Sequence, residues 1–345
     1  PSIAVLPFEN LSGDPEQEYF CDGLTEEIIT ALSKVPKVFA IARNSVFTYK
    51  GKPAKIKKVA EELGVRYVLE GSIRKAGNNI RITAQLVDAI SGRHLWAERY
   101  DRDLNEIFAV QDELTKKIIT AMQVELTEGE QARVDAKGTN NLEAYLKYLK
   151  ARENINKLNA EGNALGKELA QQAIDLDSQF AMAYRILAAG YRMDMFLGTS
   201  KSPKQSMGMC IKLIKKAIEL DETYAEAYGA LGFTFSIIGK HDEAITTAQK
   251  AISLDPNSAN TYLMLGHTFR MADRPEEAIQ AYTKAIRLNP IPPSLYFSGL
   301  GMSYSLVGQH EKGIKWCEKA VQQDPDSYIA RIFMIAVYSM AGRVD

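Results

Sequence analysis

Residues 225–258 read AEAYGALGFTFSIIGKHDEAITTAQKAISLDPNS, and residues 259–290 read ANTYLMLGHTFRMADRPEEAIQAYTKAIRLNP. The second stretch repeats the first with its surface residues exchanged. Tyr228 and Tyr262, Leu231 and Leu265, Gly232 and Gly266, Phe235 and Phe269, Ala244 and Ala278, Ala251 and Ala285, and Pro256 and Pro290 each stand 34 positions apart. A third copy, displaced by about one residue, runs through Phe297, Leu300, Gly301, Tyr304, Gly313, Cys317, Ala320 and Pro325.

In each copy the large apolar residues recur at helical intervals on one face, and the small residue after each leucine lets a second helix approach closely. Ala244 and Ala251 do the same from the second helix. The LDP or LNP run ends it, because proline cannot continue a helix and biases its predecessor away from the α region. The positions left free to vary are the solvated ones.

A helix-turn-helix unit of this length resembles the tetratricopeptide repeat over residues 225–325. A longer copy precedes it, with Tyr184, Leu187, Ala188, Tyr191, Ala217 and IELD, interrupted by an insertion near FLGTSKSPKQSM. A weaker one begins near Leu142, with Tyr145, Leu149, Ala170, Ala173 and IDLD, and the last copy, from Tyr328, supplies only its first helix. Residues 141–345 are therefore expected to form an all-α solenoid of about five repeats plus the first helix of a truncated sixth. Such units bury their apolar faces by stacking, so the last helix should expose Ile332, Ile335 and Tyr338 unless more chain follows.

The resemblance implies that the first helix of each pair faces the concave side, where extended segments of partners bind. Counting from the aligned tyrosines, that side should carry Arg185, Arg192, Met193, Phe233, Asn260, His267, Arg270, Met271 and Met302. Three arginines among apolar residues suit a protein or peptide partner with acidic and hydrophobic groups. The lysines and asparagines with which some members of the family clamp a terminal carboxylate have no counterpart here.

Residues 1–126 have another rhythm. SIAVLPF is a buried strand by composition, and Asp14, Pro15 and Gln17 start a helix that should run to about Lys34. VFAIAR is the next strand, and Pro53 to Leu63 is an amphipathic helix capped by Gly64. Residues 65–101 change period from 3.6 to 2: Ile80, Ile82, Ala84 and Leu86 alternate with Arg81, Thr83 and Gln85, and AGNN implies a hairpin. A closing helix spans about Leu104 to Leu126. The order β-α-β-α-β-β-β-α fits an α+β domain, a small mixed sheet with helices. The charged stretch TEGEQARVDAKGTNN places a linker at 127–140.

Composition narrows the function. The chain has 345 residues, 46% of them apolar, and a formal net charge of −1, so no overall basic excess favours nucleic acid or an anionic membrane. No apolar run approaches the roughly 20 residues of a membrane span. Cys21, Cys210 and Cys317 are too scattered for a disulfide framework or a zinc site and read as buried apolar residues in a reducing compartment. The dinucleotide motif GxGxxG, the phosphate loop and HExxH are absent. His94 reads as a structural or surface strand residue, and the pair Glu26 and Glu27 as acidic residues favouring the first turns of a helix. No catalytic residue, cofactor or metal is expected.

PSIAVLPFENLSGDPEQEYFCDGLTEEIITALS, FAIARNSVFTYKGK, VAEELGVRYVLEGSIRKAGNNIRITAQLVDAISGRHLWAERYDRDL and IFAVQDELTKKI resemble the TolB amino-terminal-like domain that precedes tetratricopeptide repeats in bacterial signalling proteins. The arrangement is most similar to the region carboxyl-terminal to the catalytic domain of class III adenylate/guanylate cyclases. A related one follows the winged helix of some membrane-anchored transcriptional regulators. The resemblance implies a non-catalytic regulatory and protein-interaction region of a longer chain, with any cyclase active site and any dimerisation in an upstream domain. The compartment would be cytoplasmic, or periplasmic if a transmembrane segment came first.

Overall fold

The computed structural model describes residues 1–127 and 138–343. Residues 128–137 of the expected linker, and the final two residues of the solenoid, lie outside the described residues.

The amino-terminal domain follows its hydrophobic periods. Strand β1 (Ser2–Val5) is followed by a short β2 (Glu9–Asn10) and by helix α1 (Glu18–Ser33). At the start of α1, Asp14 accepts the Glu16 N–H at 2.9 Å and the Gln17 side-chain amide at 3.0 Å, which satisfies donors a helix start leaves free. Strand β3 (Phe39–Ala40), α2 (Arg43–Val46) and α3 (Ile56–Leu63) come next, and α3 ends at Gly64 with φ of +66°, a left-handed cap that glycine adopts without cost. Strands β4 (Tyr67–Ala76), β5 (Asn79–Asp88) and β6 (Arg93–Asp103) form an antiparallel meander, and α4 (Ile107–Ala121) closes the domain.

The sheet has the order β3-β1-β4-β5-β6, with β2 also on β4; β1 pairs in parallel with β3 and β4. Ile73 opposes Ile82, and Leu69 opposes Leu86, on the covered face, while Arg81 and Thr83 stay exposed, as the period of two requires. Three details depart from the sequence reading. β2 and α2 are too short to leave a periodic signal, and α4 stops at Ala121 rather than Leu126. Glu26 and Glu27 lie past the middle of α1 rather than in its first turns, so the helix dipole does not account for them.

The rest of the described chain consists of paired helices: α5 (Leu142–Ile155) with α6 (Ala160–Leu176), α7 (Ala181–Phe196) with α8 (Pro203–Leu220), α9 (Ala225–Ile237) with α10 (His241–Leu254), α11 (Ala259–Met271) with α12 (Pro275–Leu288), α13 (Ser294–Leu306) with α14 (His310–Gln323), and then α15 (Tyr328–Met340). The periodic glycines explain the close pairing. A Cβ on Gly232 would stand 2.9 Å from the Ala244 carbonyl oxygen, and one on Gly301 would stand 2.6 Å from Cys317 Sγ. In α15 the aligned position holds Ile335, which is 67% exposed beside Ile332 and Tyr328. Tyr338 is half-buried and donates to Glu318 at 2.8 Å.

The two halves share a core. One apolar cluster runs without a break from Ile3 through α1 and α4 into Tyr148, Ala173 and Leu187 of the first repeats. Gly23 of α1 makes room for Leu149 of α5, whose methyl groups would lie 2.7 Å from any Cβ placed there. Farther along the solenoid the domain meets the turns between repeats. Ser33 donates to buried Asp255 at 2.9 Å, Asn257 donates to the Val35 carbonyl at 3.1 Å, and the Ala42 N–H donates to the Leu288 carbonyl at 2.9 Å. Ser45 donates to Asn289 at 2.5 Å and accepts the Ile291 N–H at 2.8 Å.

Gly232→Val should cost about 1–3 kcal/mol through overpacking, whereas Ile335→Ser at the aligned solvent-facing position should stay within about 0.5 kcal/mol. Urea unfolding measures both, and equal losses would contradict this account of the glycine column.

Candidate functional site

The first helices of the pairs lie side by side, α5 against α7, α9 against α11 and α13 against α15, and together make one face of the solenoid. At the α5 end that face is occupied by the chain itself. Arg152 pairs with Glu26 of α1 at 3.1 Å and donates to Tyr148 Oη at 3.3 Å, and Arg43 reaches the same Glu26 at 2.9 Å.

Arg185 is also engaged. Its guanidinium meets Glu226 at 2.8 Å and donates to Tyr224 Oη at 3.1 Å, and these contacts outweigh burial to hold it well above the usual arginine value. Of the three arginines expected on this face, Arg185 is thus neutralised within the solenoid.

Arg192 and Arg270 differ. Arg192 of α7 lies over the Phe233 ring of α9, 5.4 Å from its centroid, and its buried Nη1 finds no hydrogen-bond partner. Arg270 of α11 lies over Phe333 of α15 at 5.2 Å, and its buried Nε is likewise unsatisfied. Among the described residues neither guanidinium is paired with a carboxylate. Burial pushes Arg192 below its ordinary value, with Arg185 adding like charge. A buried cation without a counter-ion is costly and is resolved by bringing an anion to it.

Between these cations runs an aromatic link. Phe233 and His267 have ring centroids 5.6 Å apart, and His267 Nδ1 shares a hydrogen bond of 2.7 Å with the hydroxyl of Tyr282. Tyr282 is fully buried on α12. It stands where the neighbouring repeats carry Ala248 and Cys317, and it fills the space over Gly266 and Gly299. That large residue in a column of small ones was the sequence signal for the link. Arg152, Glu26 and Phe333 carried no such signal, since their partners are distant in sequence.

The structure thus brings Arg192, Phe233, His267 and Arg270 into one chain of contacts. Met193 and Met271 are half-buried, Met302 packs against the cluster of Ile314, Cys317 and Val337, and Asn260 is exposed and stands apart. In the amino-terminal half, His94 is exposed, and burial pushes the Cys21 thiol up to about 12, so it stays protonated. Among the described residues no group of His, Cys, Asp or Glu is placed to hold a metal ion, and no helix is long and apolar enough to cross a membrane.

Comparison with known proteins fits the helical half. Residues 225–290 and 296–327 are tetratricopeptide repeats. Residues 1–118 match the second domain of HilA/YgeH-like transcriptional regulators, which is a different domain from the TolB-like one read in the sequence. Putative adenylate cyclase 3 of Rhizobium meliloti (strain 1021) is 46% identical over 244 residues, 71% of this chain and 42% of that protein. The chain thus spans less than half the length of that curated relative. Among solved structures, a thermophilic TPR protein in Thermus thermophilus is 16% identical at a TM-score of 0.46, covering 56% of this chain and 99% of its own. TolB from Acinetobacter baumannii is 20% identical at a TM-score of 0.27, covering 35% and 28%. At these scores neither structure bears on what the chain does.

Burial, followed by the charge of Arg270, lowers His267 to about 3. Because the folded value lies below the ordinary 6.5, the stability His267 contributes is present above that value and is lost as pH falls toward 3. Its ring resonances should not titrate between pH 5 and 8 by NMR; a midpoint inside that range would contradict the buried Tyr282 link.

Proposed function

We propose that this chain is a non-catalytic regulatory and protein-interaction region of a bacterial signalling protein, corresponding to the carboxyl-terminal part of a class III adenylate/guanylate cyclase. The helical repeats bind a protein or peptide segment on the face of their first helices. The observation that carries this reading is the pair of guanidinium groups, Arg192 and Arg270, each stacked on an aromatic ring and each without a carboxylate among the described residues. An extended segment with two acidic groups and an apolar or aromatic residue between them supplies what both cations lack.

The cyclase assignment is supported by the relative named a putative adenylate cyclase. The cyclase chemistry would belong to an upstream domain, which would also be the place for dimerisation. Residues 1–345 would act in the cytoplasm. The second reading, the sensing region of a membrane-anchored winged-helix transcriptional regulator with a periplasmic location, draws weight from the match of residues 1–118 to a domain of HilA/YgeH-like regulators.

The test uses the full 345-residue chain and a library of fluorescent extended peptides carrying two acidic residues around a central aromatic. At least one class should bind, and Arg192→Glu with Arg270→Glu should weaken it by about 2 kcal/mol or more, roughly thirtyfold. Binding that ignores both charge reversals would remove the face from consideration.

A further inference from the structure

The contact between the domain and the inter-repeat turns contains more ionisable groups than a fixed interface needs. Asp255 and Asn289 occupy the same position of successive repeats, the residue before the proline that ends each second helix. In the two earlier turns, which lack that proline, the aligned aspartates make no hydrogen bond to the α+β domain among the described residues: Asp177 accepts the Gln179 N–H at 2.9 Å and the Thr139 hydroxyl, and Asp221 accepts the Thr223 N–H at 2.9 Å. In the two middle turns the aligned residue reaches the domain, Asp255 to Ser33 and Asn289 to Ser45. Asp255 is 3% exposed, and its nearest partner from the domain is a neutral hydroxyl.

A second carboxyl faces the solenoid from α1. Glu27 lines a cavity with Tyr145 of α5 and with Lys34, just past the end of α1, and it feels the charges of Arg152, Glu26, Lys34 and Glu226 of α9. Asp112 of α4 lines the same cavity. Glu226, Lys34 and Tyr262 also act on or feel Asp255. Arg152 pairs with Glu26 and Arg185 with Glu226, while Lys34 acts on both Glu27 and Asp255. Four carboxyls, Glu26, Glu27, Glu226 and Asp255, therefore converge on an interface where Arg152 and Arg43 share Glu26 and Arg185 holds Glu226.

We propose that the contact between the α+β domain and the solenoid, from α5 to the inter-repeat turns, is a proton-operated latch, which closes as Glu27 and Asp255 take up protons and loosens as they ionise. Protonated Asp255 keeps its bond to Ser33 without burying a charge, and protonated Glu27 removes repulsion against Glu26 and Glu226. Ionised, both carboxyls gain by undocking into water.

The direction of titration agrees. Burial pushes Glu27 up to about 7 and Asp255 up to about 6. A carboxyl whose docked value is raised binds its proton more tightly docked than free, so docking is favoured below these values and is lost as pH rises through 6 to 7. The latch thus works across the neutral range. Exposed Asp101, by contrast, is held below the usual carboxylate range by its hydrogen bond from Arg81 and stays ionised there.

The Ala42 N–H, which donates to the Leu288 carbonyl across the interface, reports the latch directly. Its hydrogen exchange in the full chain, corrected for intrinsic rate and referenced to Ile82 inside the sheet, is compared at pH 6 and pH 8.5. Protection at Ala42 should fall roughly tenfold or more with rising pH, while Glu27→Gln with Asp255→Asn keeps the low-pH protection at both values. A wild-type ratio that does not change with pH overturns the proposal, as does a double variant that retains the full wild-type response. If the double variant loses protection at Ile82, and so has not folded, the wild-type titration alone decides.

Discussion

Beyond the first repeats, the α+β domain holds the solenoid through short side chains meeting across the turn edge: Ser33 with Asp255 and Ser45 with Asn289. A stack of helical pairs touches only its neighbours and would otherwise be free to flex along its length. Two of its turns are instead tied to a domain more than 200 residues away in sequence, through buried hydrogen bonds. These bonds persist because the surrounding surface is apolar, with Phe39 and Ala42 packed against the α11–α13 cluster, so that an unmade bond would leave a polar group stranded out of water.

That arrangement shapes the candidate binding face. Its α5 end is filled by α1, whose Glu26 neutralises Arg152 and Arg43. What remains open runs from Arg192 to Arg270 and Phe333, where the cations have aromatic neighbours and, among the described residues, no acid. Glu226 of α9 links the domain contact and the candidate binding face, as the partner of Arg185 and as a neighbour of Glu27. A segment that drew Arg185 away from Glu226 would therefore change the charge that α1 faces.

The repeat was legible because its constraint is steric and periodic. Gly232, Gly266 and Gly301 return at near-constant spacing, since the second helix must pass the same distance away in every copy. The meander was legible for the same kind of reason, in the alternation from Ile80 to Leu86. Strand β2 and helix α2 were not, because two and four residues cannot display a period. The docking could not be read at all. Asp255 and Asn289 look like ordinary helix-ending residues, and the proline that follows each also follows Asp324. Of the candidate binding residues, the pattern located Arg185, Arg192 and Arg270, but only the fold shows that the first is paired with Glu226 while the other two have no carboxylate among the described residues.

The central claim, that domain and solenoid unfold as one body, is tested most directly by the protein's two tryptophans. Trp96 lies in β6 and Trp316 in α14, so each half carries its own reporter. Fluorescence-monitored urea unfolding of Trp96→Phe and Trp316→Phe at pH 6 should give coincident transitions, because the shared core and the turn-edge bonds couple the halves. A domain transition and a solenoid transition separated along the denaturant axis would contradict the account.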